Sequence, residues 1–297
     1  MSHNHNSWGW MLALDFFFAG MGAGMLVIAG IADLFFDAGK TSLLSNAIAP
    51  GFIAFGAGLL IFELGRPFQA WRVFVNFKAL LTVGAWNMSL CIVFGMIFAS
   101  FGIGILPWSG WVALRKILAV LCVIVGLVVA TYPGILLARY KARPLWNGPG
   151  MLALFLLSSL ATGIAAHIVG GLIFPAVSPV LLDKLPMLLA ALLLLQFILW
   201  LGYLWIKITG TTEQEAQAAR RWTKGSYAVP FKIGFMLFGT LIPLILFLFS
   251  SPIADAIAAS LVIFGGLIMR NLVIYSGQDR TGAPAILGPV LVNVRID

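Results

Sequence analysis

Four side chains with acid–base or hydrogen-bonding chemistry recur near one end of the apolar segments. Asp15 is flanked by Leu and Phe side chains, and a carboxylate there must pair, contact water or stay protonated. Glu63 and Arg66 are three residues apart and share a helical face, so they can pair with each other. Tyr132 adds a phenol at a similar depth. The pattern predicts a proton-handling or ligand-binding site. Two alternatives stay open: the Glu63–Arg66 pair could serve merely as a structural clamp at a helix end, and Tyr132 could be an ordinary interfacial aromatic.

Histidine supply restricts the redox chemistry of the chain. There are three histidines, and His3 and His5 lie in the polar N-terminal tip, so His167 is the sole imidazole inside an apolar segment. A bis-histidine haem needs two. We therefore expect no haem and no metal site in this chain, with redox centres supplied by a partner if the chain does redox work.

Three further ionisable groups lie in or beside the apolar segments, where each needs a reason. We expect His167 to be a buried packing residue that hydrogen-bonds to a serine such as Ser158 or to a backbone carbonyl. Arg270 lies within the last segment, and Asp33 closes the first segment on the side opposite Asp15. We interpret His167, Arg270 and Asp33 as parts of a proton path or as structural groups.

The composition is that of an integral membrane protein, with 61% hydrophobic and 9% charged residues. About 20 apolar residues cross the hydrocarbon, and eight such segments occur: Trp8–Phe36, Ala47–Leu64, Leu80–Leu106, Trp111–Leu137, Met151–Phe174, Leu185–Ile208, Val229–Phe249 and Ile253–Tyr275. Residues 209–228 form the longest loop, a short polar segment.

These segments predict an all-α integral membrane fold of eight transmembrane helices arranged as two four-helix bundles, because short loops favour antiparallel neighbours. The boundaries are 1–140 and 141–276, followed by a tail at 277–297. Gly20 and Gly24 form a small-residue face on the first helix, which favours close helix packing over room for a flat ligand.

The basic residues divide the two faces. Thirteen of the 18 Lys and Arg residues lie in the loops after spans two, four and six, at the span ends beside them, or in the C-terminal tail, and four lie in the opposite loops. The excess of basic residues marks the cytoplasmic side, so we expect both termini in the cytoplasm. Topology explains the net charge of +8, and nucleic-acid binding is not needed.

Several motifs together resemble the NrfD/PsrC family of polysulfide-reductase-type membrane subunits. They are Asp15–Gly24 (DFFFAGMGAG), Phe62–Pro67 (FELGRP), Gly84–Leu90 (GAWNMSL), Tyr132–Gly134 (YPG), Arg143–Asn147 (RPLWN), Gly265–Arg270 (GGLIMR) and Tyr275–Gln278 (YSGQ). The resemblance runs from Trp8 to Gln278.

The resemblance implies a haem-free subunit of a prokaryotic inner membrane. Such subunits bind a quinone, menaquinone or ubiquinone, in the N-terminal bundle, and dock an iron–sulfur protein that often serves a molybdopterin enzyme. Carried over by position, it places the quinone headgroup near Asp15 and Tyr132. Relatives often carry the iron–sulfur side in the periplasm, whereas the charge count places that face in the cytoplasm, and we follow the charge count.

Three functions follow as hypotheses. In the first, the protein is the quinone-reactive anchor of a membrane oxidoreductase: Asp15 or Glu63 exchanges protons with the quinone, Tyr132 hydrogen-bonds a carbonyl oxygen and Arg66 holds Glu63. In the second, it is a proton-coupled secondary transporter; Pro243 in the seventh span, however, has no clear counterpart in the first half. In the third, it is a structural anchor without a ligand, which leaves Asp15 unexplained.

Overall fold

A computed structural model describes residues 9–36, 43–63, 74, 80–139, 143–148, 150–173, 179–210 and 212–278. Within these ranges the helices are α1 (Trp10–Phe36), α2 (Leu43–Glu63), α3 (Leu80–Ser100), α4 (Val112–Ala138), α5 (Gly150–Ile173), α6 (Pro179–Thr209), α7 (Glu213–Lys224), α8 (Pro230–Phe249) and α9 (Pro252–Gln278). All except α7 are long and apolar enough to cross a membrane, which confirms the all-α fold with eight spans.

Alternating chain direction defines two faces. The N-terminal face is the side where α1 begins and where α2, α4, α6 and α9 end; the opposite face is the side where α1 ends. Along the chain, α7 lies between α6 and α8 on the N-terminal face. Asp15, Glu63, Tyr132 and Arg270 all lie in the halves of their helices nearer the N-terminal face.

The third span is shorter than predicted. Helix α3 ends at Ser100 rather than continuing to Leu106, and residues 101–110 form successive turns, such as the one closed by Gly102 N and Ala99 O. Gly102, Gly104 and Pro107 favour turns over helix. The indole of Trp108 folds back and donates to Ser100 Oγ at 3.0 Å.

The polar loop predicted at 209–228 contains a helix. Thr212 caps α7 by accepting from the amide of Glu215, and acidic residues begin the helix while basic residues end it, as the helix dipole favours. The apolar side of α7 packs on the protein: Trp222 is fully buried and stacks on Trp200 of α6 with ring centroids 5.1 Å apart. The segment lies between two spans, as predicted, but Glu213–Lys224 forms an amphipathic helix rather than an irregular loop.

A buried lysine joins α6, α7 and the segment before α5 near the N-terminal face. Lys207 of α6 pairs with Glu215 of α7 at 3.0 Å and donates to the backbone oxygens of Pro144 and Asn147. The segment before α5 is thereby tied to α6 and α7. Its Trp146 also donates to the Val273 carbonyl of α9 at 2.8 Å.

The seventh span changes its helical form along its length. Pro230–Leu241 is a π-helix, Ile242–Leu246 an α-helix and Phe247–Phe249 a 3₁₀ turn. The wide π-helical turns preserve backbone hydrogen bonding just before Pro243, because the amide of Ile242 donates to the carbonyl of Leu237, five residues back. Ser250, in the left-handed region at φ 46°, reverses the chain into α9.

Helices α1 and α5 pack against each other at the centre of the fold. A Cβ added to Gly24 would lie 2.8 Å from the carbonyl carbon of Ser159, and one added to Gly163 would lie 2.5 Å from the carbonyl carbon of Gly24. The small-residue face of α1 therefore serves close packing. Helix α1 also contacts α2, α4 and α9, and α5 contacts α4, α6 and α9; the division into two bundles with the boundaries given above stays a prediction.

Candidate functional site

Asp15 is a buried carboxylate on the face of α1 that packs on α2. The residue is 2% exposed, and its Oδ1 has no hydrogen-bond partner among the described residues. Gly56 of α2 makes the close approach possible, because a Cβ there would lie 3.0 Å from Asp15 Oδ1 and 3.0 Å from its backbone oxygen. An unsatisfied buried carboxyl oxygen is costly, so this group needs a proton, a ligand or water.

Tyr132 of α4 lies on a second buried glycine. A Cβ added to Gly84 of α3 would lie 2.6 Å from Tyr132 Cε2, so no larger residue fits at that position without moving the ring. Tyr132 is 6% exposed. The phenol ring therefore occupies space on α3 that any side chain larger than that of glycine would fill.

The depths of Asp15 and Tyr132 can be compared through Ser159 of α5. Ser159 Oγ lies 3.5 Å from the Ala130 carbonyl oxygen on α4 and 2.7 Å from the position of a Cβ on Gly20 of α1. Because α4 runs antiparallel to α1, Tyr132 lies about 3 Å and Asp15 about 7.5 Å nearer the N-terminal face than this level. The two groups are thus within about 5 Å of each other in depth.

Glu63 lies nearer the surface than the sequence pattern suggested. Its Oε1 accepts from the backbone amide of Gly9 at 2.8 Å, so it binds the segment just before α1 begins. Gly9 is six residues before Asp15, which places Glu63 about 9 Å closer to the N-terminal face than Asp15. The expectation that Glu63 lies at the same depth as Asp15 and Tyr132 is therefore wrong. Its predicted partner Arg66 lies outside the described residues.

Arg270 of α9 is buried among α1, α5 and α9. It is 2% exposed; one terminal nitrogen, Nη2, donates to Ser159 Oγ at 2.9 Å and to the Phe155 carbonyl at 3.3 Å, and the guanidinium lies 4.0 Å from the Phe155 ring centroid. The other terminal nitrogen, Nη1, has no hydrogen-bond partner among the described residues. A Cβ on Gly20 would lie 3.2 Å from Nη2. Arg270 therefore joins three helices below Asp15 and retains donor capacity.

His167 and Asp33 lie away from this group. His167 hydrogen-bonds through Nε2 to the Met25 carbonyl at 2.9 Å, so it is satisfied by a backbone carbonyl rather than by Ser158. Asp33 is fully buried near the opposite face and pairs with Arg115 of α4 at 3.1 Å. Both contacts are structural links between α1 and its neighbours.

The donor chemistry near the N-terminal face suits an oxygen-bearing organic ligand. Asp15 can accept or donate a hydrogen bond according to its protonation, and the hydroxyl of Tyr132 can also donate or accept one. Among the described residues, no three His, Cys, Asp or Glu side chains come together as metal ligands would. The arrangement can bind a polar headgroup and exchange protons with it.

Comparison with known proteins identifies the family of this protein. Residues 1–282 match the family described as "Polysulphide reductase, NrfD". The chain belongs to the NrfD family. The resemblance predicted from the motifs is thereby confirmed.

Two NrfD relatives match with different coverage. The C chain of polysulfide reductase from Wolinella succinogenes is 28% identical over 318 aligned positions, covering 94% of this protein and 97% of that relative. Protein NrfD of Escherichia coli strain K12 is 26% identical over 188 positions, covering 54% of this protein and 58% of that relative.

Three residues, Gly56, Gly84 and Ser159, position the candidate site of this NrfD-family protein in ways that the sequence pattern does not show. Gly56 and Gly84 matter because of what they allow on another helix, and nothing local in the sequence marks that. Ser159 links Gly20, Ala130 and Arg270. Its position four residues before Gly163 is a small-residue spacing that could have indicated the contact with α1.

Proposed function

We propose that this NrfD-family protein is the haem-free, quinone-reactive membrane subunit of an oxidoreductase complex. The observation that carries the proposal is the buried carboxyl of Asp15, whose Oδ1 has no hydrogen-bond partner among the described residues, close in depth to the hydroxyl of Tyr132. A transmembrane carboxylate of this kind is a functional-site hypothesis by default.

The hydrogen-bonding groups of the site match those of a quinone headgroup. A quinone has two carbonyl oxygens; Tyr132 would donate to one and Asp15 would face the other or the hydroxyl that replaces it. A quinone bound there would supply the redox chemistry, taking up two electrons from the partner and two protons to become a quinol. The apolar helices supply a low-dielectric surround that excludes water and keeps the two hydrogen bonds strong.

The protons travel through this protein's own groups. Asp15 holds a proton at its carboxyl and passes it toward the N-terminal face. Glu63, at the end of α2, lies there beside the start of α1, about 9 Å nearer the face than Asp15, and this span needs ordered water. Arg66 is proposed to hold Glu63 in position. Arg270, His167 and Asp33 lie deeper or on the opposite face; we assign Arg270 to fixing α1, α5 and α9 around the site, or to a proton path through its second nitrogen.

Electrons enter or leave through a partner on the N-terminal face. We propose an iron–sulfur subunit, serving a molybdopterin-type catalytic subunit, because the headgroup at Asp15 and Tyr132 lies roughly 8–10 Å below this face and no three described His, Cys, Asp or Glu side chains come together as metal ligands. Arg139 and Arg143 lie on this face in the structure, and basic loops steer an acidic partner. Arg72 and Lys141, proposed for the same surface, are outside the described residues. The Wolinella relative is named as one of several lettered chains of its reductase, which supports membership of a multi-subunit complex.

The test is to purify the complex from its native membrane in mild detergent, extract its lipids and measure quinone per protein by mass spectrometry. About one quinone per protein is expected, together with reduction of the partner's clusters by added quinol, followed by electron paramagnetic resonance. A complex that holds no quinone and whose clusters ignore quinol would contradict the proposal and favour a proton-coupled transporter or a ligand-free anchor.

A further inference from the structure

A cavity lies on the opposite face of the protein, away from Asp15 and Tyr132. Its volume is about 620 Å³, within the range of about 300–1,000 Å³ that is typical of small-molecule sites. It is formed by four helix ends: the last turns of α5 and α8 and the first turns of α6 and α9. In a membrane this position is the headgroup level of the leaflet on that side.

The walls of the cavity are apolar and partly open to the side. Pro186 and Ala190 of α6 and Leu244 of α8 line the interior, whereas Met187 is 82% and Leu248 is 80% exposed. Large apolar side chains this exposed at a rim are suited to contact hydrocarbon. The opening therefore faces the lipid rather than only the aqueous phase.

Two carboxylates line the same cavity. Asp183 lies in the first turns of α6 and Asp255 in the first turn of α9, and Asp255 Oδ1 is buried without a hydrogen-bond partner among the described residues. Neither forms an ion pair with a described basic residue.

Two basic residues near this face have other contacts: Arg115 pairs with Asp33, and Lys184 lies over the ring of Phe36 at 4.8 Å. The cavity therefore combines apolar walls with two carboxyl groups that form no ion pair with these cations.

We propose that this cavity binds one phospholipid whose headgroup carries a primary ammonium. The ammonium would donate to Asp183 and Asp255, and an acyl tail would lie along Ala190, Met187 and Leu248. A primary ammonium has three N–H donors for two carboxylates, whereas a quaternary headgroup has none and an anionic headgroup is repelled. The lipid would join α5, α6, α8 and α9 where their ends meet, and this role is independent of quinone binding.

The test uses the purified complex after delipidation, titrated with phosphatidylethanolamine, phosphatidylcholine or phosphatidylglycerol of identical acyl tails and analysed by native mass spectrometry. One phosphatidylethanolamine should bind at least about tenfold more tightly than either of the others, as expected for charge-assisted hydrogen bonds. The double variant D183N/D255N should lose that preference. The control Glu213→Gln, an exposed carboxylate on the N-terminal face, should keep it.

A second variant tests the cavity without changing charge. Ala190→Trp should fill the cavity and remove the bound lipid while the melting temperature of the protein stays within a few degrees of the wild type. Equal binding of the three lipids, or undiminished phosphatidylethanolamine binding in D183N/D255N or in Ala190→Trp, would overturn the proposal. Quinone content is measured in the same samples, so a failure of the quinone site is seen separately.

Discussion

The phenol ring of Tyr132 rests directly on Gly84, with no room between the two helices for even one methyl group: an added Cβ would lie 2.6 Å from Tyr132 Cε2. Asp15 and Gly56 repeat this relationship one helix pair away. In both cases a polar group on one helix is positioned by a glycine on a neighbouring helix. These two pairs allow the candidate site to be perturbed without removing the polar groups themselves.

Asp15→Asn should abolish most quinol-linked turnover. The change keeps the shape of the side chain and removes its ionisable proton, and general acid–base groups contribute about 10²- to 10⁴-fold to rate. Quinol-driven turnover of the whole complex is compared with turnover of the soluble partner by an artificial electron donor. Equal losses in the two assays would indicate an assembly defect and would count against the site.

Gly56→Ala should lower the same activity with Asp15 left in place. Its Cβ would press on Asp15 Oδ1 at 3.0 Å, and misplacement of a catalytic group by a fraction of an ångström to an ångström costs about ten- to a hundredfold. The matched control is Gly58→Ala on the same helix, where an added Cβ meets nothing within 4 Å. If both variants behave alike, the contact with Asp15 is not what matters.

Gly84→Ala should reproduce and exceed the effect of Tyr132→Phe. Removal of the hydroxyl forfeits one hydrogen bond, about 0.5–1.5 kcal/mol or up to roughly tenfold in quinol KM or rate. An added methyl at residue 84 displaces the whole ring. Steady-state quinol kinetics on both variants measure this, and wild-type kinetics in Tyr132→Phe would remove the phenol from the site.

Gly24→Ala should destabilise the fold by disturbing the central helix pair. Its Cβ would lie 2.8 Å from the Ser159 carbonyl carbon, and overpacking of this kind costs about 1–3 kcal/mol. Thermal unfolding in detergent measures the loss. Gly51→Ala, on an exposed position with open space around it, is the control and should be neutral or slightly stabilising.

The charge bias predicts that the N-terminal face lies in the cytoplasm. Ser226→Cys, exposed between α7 and α8, should resist an impermeant thiol reagent in intact cells and react after lysis; Gly110→Cys, exposed in the turn before α4 on the opposite face, should react in intact cells. Both native cysteines, Cys91 and Cys122, are buried, which keeps the background low. The reverse labelling pattern would place the N-terminal face, and with it the proposed partner, outside the cytoplasm.

The eight spans could be predicted because the requirement for crossing hydrocarbon is local: a run of about 20 apolar residues is visible in the sequence without knowledge of its neighbours. Asp15 was identifiable for the same reason, since a charge inside such a run is conspicuous. Helix α7 is also locally encoded by the Thr212 cap and Glu215, a Thr-x-x-Glu pattern typical of helix starts, although the polar composition of residues 209–228 predicts a loop.

Contacts between helices were decided only by the tertiary structure. The sequence placed Glu63 level with Asp15, but packing joins it to Gly9, closer to the surface. Arg270 reaches Ser159, 111 residues away, and His167 reaches Met25, 142 residues away. Apolar spans have no hydropathy contrast that would tell which face meets which neighbour, because lipid and protein interior are equally apolar. The sequence therefore determined which segments cross the membrane and which polar groups they carry, while close packing at glycines decided where those groups meet.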